Sequence, residues 1–307
     1  MLRIIVLGSA AGGGLPQWNC NCGPCLAARK AGFDNGQVSL AASVDDGKNW
    51  FLINASPDLR SQILRTPALH PDPARLRHSP IAGVILTNAE IDAVAGLLSM
   101  REGHAFAIHA HPRVVEILAS NPIFNVLDPS RVPRVPFALG VPFEPTCANG
   151  TPSGLIVEAF DVPGKGAWYL EGTADDDGTA AGDTVGLHLT CRGTGKSAFV
   201  LTACAGVTPE LAERLRDADL VFFDGTLWRD DEMIQAGLAK KTGLRMGHLS
   251  MSGPEGAMAR LADLGIRQKV FVHINNSNPA LLPNSAERHA AAEAGWTIPQ
   301  PDEEFAP

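Results

Sequence analysis

No apolar stretch of this 307-residue chain reaches the length of a membrane span. The opening MLRIIVLGSAAGGG has too short an apolar run for a signal peptide, and glycines follow where a cleavage site would be needed. No run of Lys and Arg interrupts a formal charge of −8, which argues against nucleic acid or an anionic membrane as a partner. A short-period repeat and a linker that would split the chain are also missing. Gly (31) and Pro (23) are plentiful but scattered, so the chain is rich in loops without being of low complexity. With 45% hydrophobic residues it can bury a large core, and these absences together predict a cytoplasmic protein. Its six cysteines are then expected to be reduced, so a cluster of them points to a metal before a disulfide.

The apolar pattern predicts a layered α/β fold. Leu2–Leu7 reads as a buried strand followed by a glycine-rich loop, SAAGGGLPQWNCNCGPC. SLAASVDDGKNWFLINAS reads as a hairpin around a DDGK turn. Further strands are expected at Ile81–Thr87, Phe106–Ala110, Gly186–Arg192, Ser197–Thr202, Leu220–Asp224 and Val270–Ile274. Helices are expected at Ser56–Leu69, Glu90–Glu102, Pro209–Asp217 and Ser252–Leu264. Hairpins first and strand–helix alternation afterwards, twice over, suggest two sheets between helices in a single domain, 1–307. Asp175–Asp183 is expected to be a polar loop.

Two constellations carry chemistry. NCNCGPC, within a Cys-rich loop at 18–26, sets Cys20, Cys22 and Cys25 in C-x-C-x-x-C spacing, which lets one loop offer several thiolates to a structural zinc. Cys147, Cys191 and Cys204 are scattered and read as small buried hydrophobes. In LTNAEIDAVAGLL, Asn88, Glu90 and Asp92 alternate just past a strand and offer an oxygen-rich half-site for a cation. Taken alone, the same acids are explained by a helix N-terminus. The balance shifts because other strand ends also carry polar groups. Asp224 stands in VFFDGTLW, His248 in RMGHLSMSG and His273 in KVFVHINNSNP. His109 and His111 share H-x-H spacing but run into Pro112 with no D-H continuation, so they are read as structural, as are His70, His78, His104, His188 and His289. The glycines at 12–14 open a cysteine loop and not a helix, so they fail as a dinucleotide fingerprint.

Taken together, GSAAGGGLPQWNCNCGPC, NASPDLR, TNAEIDAVAGLLSMREG, VPGK, DGTLW-x-DDEM, MGHLSMSG and FVHINNSNP, with S-x-ER and GW after it, cover nearly the whole chain. The set resembles the B proteins of pyrroloquinoline quinone (PQQ) biosynthesis, within the metallo-β-lactamase superfamily. The resemblance implies an αββα sandwich and kinship with two-metal phosphodiesterases that carry H-x-H-x-D-H. Here that motif holds Asn88, Glu90, Asp92 and Ala93. VPGK has no histidine, LTACAG offers Ala203, Cys204 and Ala205 where a bridging Asp belongs, and His273 alone matches the final ligand. Two-metal hydrolysis needs both ions, so a residual metallo-hydrolase is disfavoured.

The donor set left for one active-site metal is Glu90, Asp92 and His273 with Asn88 and Asp224 nearby, which resembles the logic of non-haem Fe(II) sites. The resemblance implies an oxidoreductase: an iron- and O₂-dependent hydroxylase of the tyrosine ring in a Glu–Tyr unit cut from a precursor peptide. Asp224 and His248 would be the catalytic groups, His248 moving protons. Arg60 and Lys165 would grip substrate carboxylates. The family pattern has a histidine after Asp92. If that residue is a ligand or proton donor, Ala93 removes its chemistry; if it only supports the site, the change is silent. The rival readings are a carrier moving PQQ or a precursor toward the periplasm without catalysis, and a purely structural zinc protein. A homo-oligomer and contacts with other enzymes of the pathway are compatible with all of them.

Overall fold

Alternation along the first strand builds two layers at once. In the computed structural model, which describes residues 1–172 and 179–307, β1 (Arg3–Gly8) turns Ile4 and Val6 to one face and Ile5 and Leu7 to the other. It lies in a seven-stranded sheet with β2 (Ser39–Ser43), β3 (Trp50–Ile53), β4 (Ile81–Ile85), β5 (Ala107–Ala110), β6 (Arg134–Pro136) and the C-terminal β13 (Glu303–Phe305). The second, six-stranded sheet is made of β7 (Leu155–Asp161), β8 (Val185–Cys191), β9 (Ser197–Leu201), β10 (Leu220–Asp224), β11 (Gln268–Val272) and β12 (Trp296–Thr297).

Ile4, Val6, Leu40 and Phe51 of the first sheet meet Val157, Leu187, Val200 and Phe222 of the second in the central layer. Ile5, Leu7, Trp50 and Val84 pack outward on Leu59, Leu97, Val114 and Leu118 from helical segments. Val221, Phe223 and Phe271 do the same on the other side with Leu211, Leu215 and Leu261. The result is the expected αββα sandwich, a metallo-β-lactamase fold. Strands β3 to β6 run parallel, as do β9 to β12, so the ends of β4, β10 and β11 open onto loops that carry the polar residues. Among the described residues no helix is long and apolar enough to cross a membrane.

The hairpin pairs Leu40 with Ile53 and Ala42 with Phe51. Its turn is tied by Asp45, whose Oδ1 accepts from Lys48 N at 3.1 Å and Asn49 N at 3.0 Å. Elsewhere the structure corrects the sequence expectation. Residues 90–102 are α-helical only over Ile91–Val94 and continue as a 3₁₀ turn, Ala95–Met100. Gly96 N donates to Ala55 O at 2.8 Å, and a Cβ on Gly96 would lie 2.1 Å from Ser56 O. That close approach of two backbones, and not helix propensity, sets the local form. Of Ser252–Leu264, only Ala257–Arg260 is α-helical. The cysteine loop ends early, because Pro24 starts a helix, Gly23–Ala31, that includes Cys25 and stops at Gly32 in the left-handed region. Of the expected loop Asp175–Asp183, residues 175–178 lie outside the described residues.

His109 stands in β5, buried and stacked on Phe143 with ring centroids 5.3 Å apart. Among the described residues neither ring nitrogen has a hydrogen-bond partner. Burial pushes its pKa down from 6.5 to about 4. Between those values the unfolded chain binds a proton that the folded chain does not, so folding stability falls as pH drops through this window and levels off below it. At about 1.4 kcal/mol per pH unit the loss from this one group is about 3 kcal/mol. Urea unfolding at pH 7 and pH 4.5 is expected to show His109→Leu losing less stability on acidification than the wild type. Equal losses would mean that His109 is not held neutral.

Candidate functional site

The polar loops converge on a cavity of about 650 Å³ at the strand ends. After β4, Asn88 Oδ1 accepts from Glu90 N at 3.0 Å, a side-chain turn that sets Glu90 at the helix cap and Asp92 in its first turn. After β11, His273 takes a positive φ of 56°, a left-handed conformation costly for a residue with a Cβ. The flanking backbone holds it there: Ile274 N donates to Ser9 O at 2.7 Å and Ala11 N to Ile274 O at 2.8 Å, joining the two sheets. After β10 comes Asp224, fully buried, then Thr226. His248 arrives from the loop between Gly247 and Ser252.

These side chains form one chain of hydrogen bonds. Asp92 Oδ2 lies 3.0 Å from His273 Nε2, and His273 Nδ1 lies 2.7 Å from Thr226 Oγ1. The Thr226 hydroxyl donates to Asp224 Oδ1 at 2.6 Å, and the other oxygen of Asp224 lies 2.7 Å from His248 Nδ1. Backbone N–H groups of Cys204 and Thr226 also donate to Asp224, at 2.9 and 3.0 Å. The two imidazoles stack with centroids 4.9 Å apart. Burial opposes the charge on His273, but Asp224 and Asp92 outweigh it and push its pKa up to about 10. Burial likewise opposes ionisation of Asp92 and Asp224, yet the hydrogen bond from His273 and the charge of His248 respectively hold each carboxyl below its usual range. Burial raises Glu90, partly offset by the hydrogen bond that its Oε1 accepts from Trp168 N at 2.9 Å. Three carboxylates therefore surround two imidazoles in a buried setting. A divalent cation would balance that excess and displace the proton of His273.

Asn88, Glu90, Asp92, Lys165, His248 and His273 all line the cavity. Arg60 does not. It is exposed beside Leu59, which takes the buried side of the same helix. The donor atoms of Asp224, His248 and His273 lie within 4.8 Å of one another, as do the thiols of Cys20, Cys22 and Cys25. Asn276 stands beside the thiols, with Nδ2 at 3.5 Å from Cys22 Sγ and 3.3 Å from Cys25 Sγ.

Residues 49–274 match the family model of the beta-lactamase superfamily domain. Over 301 residues, 97% of each chain, the sequence is 62% identical to the coenzyme PQQ synthesis protein B of Rhodopseudomonas palustris (strain BisB5). The chain belongs to the coenzyme PQQ synthesis protein B family. The zinc-bound PqqB from Methylobacterium extorquens superposes with a TM-score of 0.91 at 42% identity, covering 99% of this chain and 100% of that one. A diphosphatase of the PhnP family, 17% identical, superposes at 0.69 over 100% of this chain and 98% of that chain, and shares the fold. Ala93 lines the cavity next to Asp92, so a longer side chain at that position would face the same space.

Sequence reasoning missed Thr226 and Asn276. Thr226 sits two residues past Asp224 in DGT, and a threonine there carries no ligand signal until His248 and His273 are brought to it. Asn276 lies three residues past His273, within a run of asparagines that reads as a turn. Trp168 and Tyr169, whose Oη donates to Ala89 O at 2.9 Å, strap a further loop over Glu90 and were not foreseen.

Proposed function

We propose that this protein acts in PQQ synthesis as an iron- and O₂-dependent hydroxylase of the tyrosine ring in a Glu–Tyr unit. The observation that carries the reading is the linked array Asp92–His273–Thr226–Asp224–His248, all of which but the buried Asp224 stands on the wall of a cavity of about 650 Å³. That volume suits a dipeptide-sized ligand. Two carboxylates and an imidazole facing open space fit a divalent ion that keeps positions free for other ligands. Asp92, His273 and Glu90 would hold Fe(II), with Asn88 beside them, and the ion would supply the activation of O₂.

The remaining work falls to the protein. His248, fixed through Nδ1 by Asp224, presents its other ring nitrogen for proton transfer to or from the phenol. Lys165 meets a substrate carboxylate at the cavity wall. Trp168, two-thirds exposed and lining the same space, offers an apolar face to an aromatic ring. Cys20, Cys22 and Cys25 fit a structural zinc by donor type and spacing.

The test is direct. Protein loaded anaerobically with Fe(II) is given Glu–Tyr, ascorbate and O₂, and the product is weighed. Each hydroxylation inserts one oxygen atom and reduces the other to water with two electrons from the ascorbate. Whole oxygen atoms gained, from labelled O₂ and only with iron present, support the reading. Tight binding of Glu–Tyr or PQQ with no oxygen gained would favour the carrier instead.

A further inference from the structure

The cavity mouth holds a carboxylate that the chemistry above leaves unused. Lys165 and Lys241 come from two separate loops, and both line the cavity. Lys165 Nζ donates to Glu171 Oε1 at 2.9 Å, and Lys241 Nζ to Glu171 Oε2 at 2.6 Å. One oxygen for each ammonium is the arrangement in which two cations would receive the carboxylate of a bound molecule.

Lys165 does not depend on Glu171 for its place. The Lys165 stem lies over Gly247, where an added Cβ would stand 3.1 Å from Lys165 Cγ, and the Lys165 carbonyl accepts from Thr184 Oγ1 at 3.1 Å. Trp168 N and Tyr169 Oη anchor the middle of the same loop to Glu90 and Ala89. Among the described residues, the Glu171 carboxylate bonds to these two lysines alone. Both pairs are partly exposed, with Glu171 at 38%, so each contributes little to stability. The lysines nonetheless hold its carboxyl down at about 2, so the group is an anion at any working pH.

We propose that Lys165 and Lys241 form a carboxylate subsite at the cavity mouth, filled by Glu171 until a substrate carboxylate takes its place. The inference rests on the reading of the cavity as the site of an acidic substrate, and it names what selects that substrate. Exchange of one carboxylate for another keeps both ion pairs, so an anionic ligand enters at little cost. A neutral ligand cannot replace Glu171 and meets a closed pair.

Binding of Glu–Tyr, of PQQ (a tricarboxylate) and of the N-acetylated Gln–Tyr amide, which carries no charge, is measured on the metal-loaded protein without O₂. Glu171→Gln removes the competing charge and is expected to tighten both anionic probes about threefold to tenfold. Lys165→Met and Lys241→Met are expected to weaken them about tenfold each. The neutral amide should respond to none of the three. Because the pairs are exposed, the variants should unfold at the wild-type temperature within a few degrees. Weaker or unchanged anion binding in Glu171→Gln overturns the subsite, as do lysine variants that bind like the wild type. If the wild type binds neither anion, Glu171→Gln must open the site to PQQ, and binding by no variant overturns it. The expected affinities, together with no oxygen gained by Glu–Tyr in the assay with Fe(II), ascorbate and O₂, would instead overturn the hydroxylase reading and leave the subsite standing.

Discussion

Asp92→Ala is expected to abolish tight metal binding at the cavity, and with it any oxygen transfer, while zinc binding at the thiol loop is unchanged. Asp92 Oδ2 and His273 Nε2 face each other at 3.0 Å, both side chains nearly buried, and both line the cavity. Loss of the carboxylate removes one donor and leaves the imidazole in a buried place without its anion. Changes to groups that merely orient metal ligands cost about 10- to 100-fold in affinity, so loss of a donor should exceed about a hundredfold. Breaking a buried pair from one side also costs about 3 kcal/mol of stability. Asp92→Asn, which keeps the shape and an oxygen, should fall between the two. The check is metal content after gel filtration, with calorimetric titration of Fe(II) or Mn(II). His273→Ala should match Asp92→Ala, since each removes half of the same pair. Glu90→Ala should lose less, because Glu90 Oε1 is already shared with Trp168 N. If Asp92→Ala and Glu90→Ala bind PQQ as the wild type does while metal content is unchanged, the array is not a metal centre and the carrier reading gains.

Much of this array is legible in the sequence. Strands β1, β4, β10 and β11 are short apolar runs whose polar ends stand out: Asp224 closes LVFFD, and His273 follows QKVFV. Parallel order then brings those ends to one edge, which is why residues far apart in sequence share a cavity. Strand β7, LIVEAFD, was missed although it alternates, with Leu155, Val157 and Ala159 turned to the core. Its charged positions, Glu158 and Asp161, disguised a half-buried edge strand. Arg60 was overread: it neighbours buried groups in NASPDLR, yet one helical step places it on the exposed face. The Glu171–Lys241 pair joins residues 70 apart and the Trp168–Glu90 bond residues 78 apart, so neither leaves a local pattern. Thr226 is the sharpest case, because its importance is entirely in what surrounds it.

Thr226→Val is expected to destabilise the protein by about 2–4 kcal/mol although it changes no charge and almost no volume. The Thr226 hydroxyl has one proton and two lone pairs. It gives the proton to Asp224 Oδ1 at 2.6 Å and faces His273 Nδ1 at 2.7 Å and His248 Nδ1 at 3.1 Å. With Nδ1–H directed at Thr226, His273 presents Nε2 to Asp92 and to the cavity. Valine fills the same space but leaves Asp224 Oδ1 one hydrogen bond short and His273 Nδ1 with none nearer than the Asp224 carboxylate at 3.8 Å. Metal affinity should fall about 10- to 100-fold, the usual effect of losing the group that orients a ligand. Thr226→Ser keeps the hydroxyl and should retain most of both properties. Urea unfolding gives the stability, and ¹⁵N chemical shifts of the imidazoles report which ring nitrogen carries the proton. In the metal-free protein at pH 7 the wild type and Thr226→Ser should show His273 protonated on both nitrogens, as its raised pKa of about 10 requires, and Thr226→Val should show a fraction of the neutral ring. A valine variant with wild-type stability and an unchanged ¹⁵N pattern would mean that Asp224 alone orients both histidines, and that the hydroxyl is incidental.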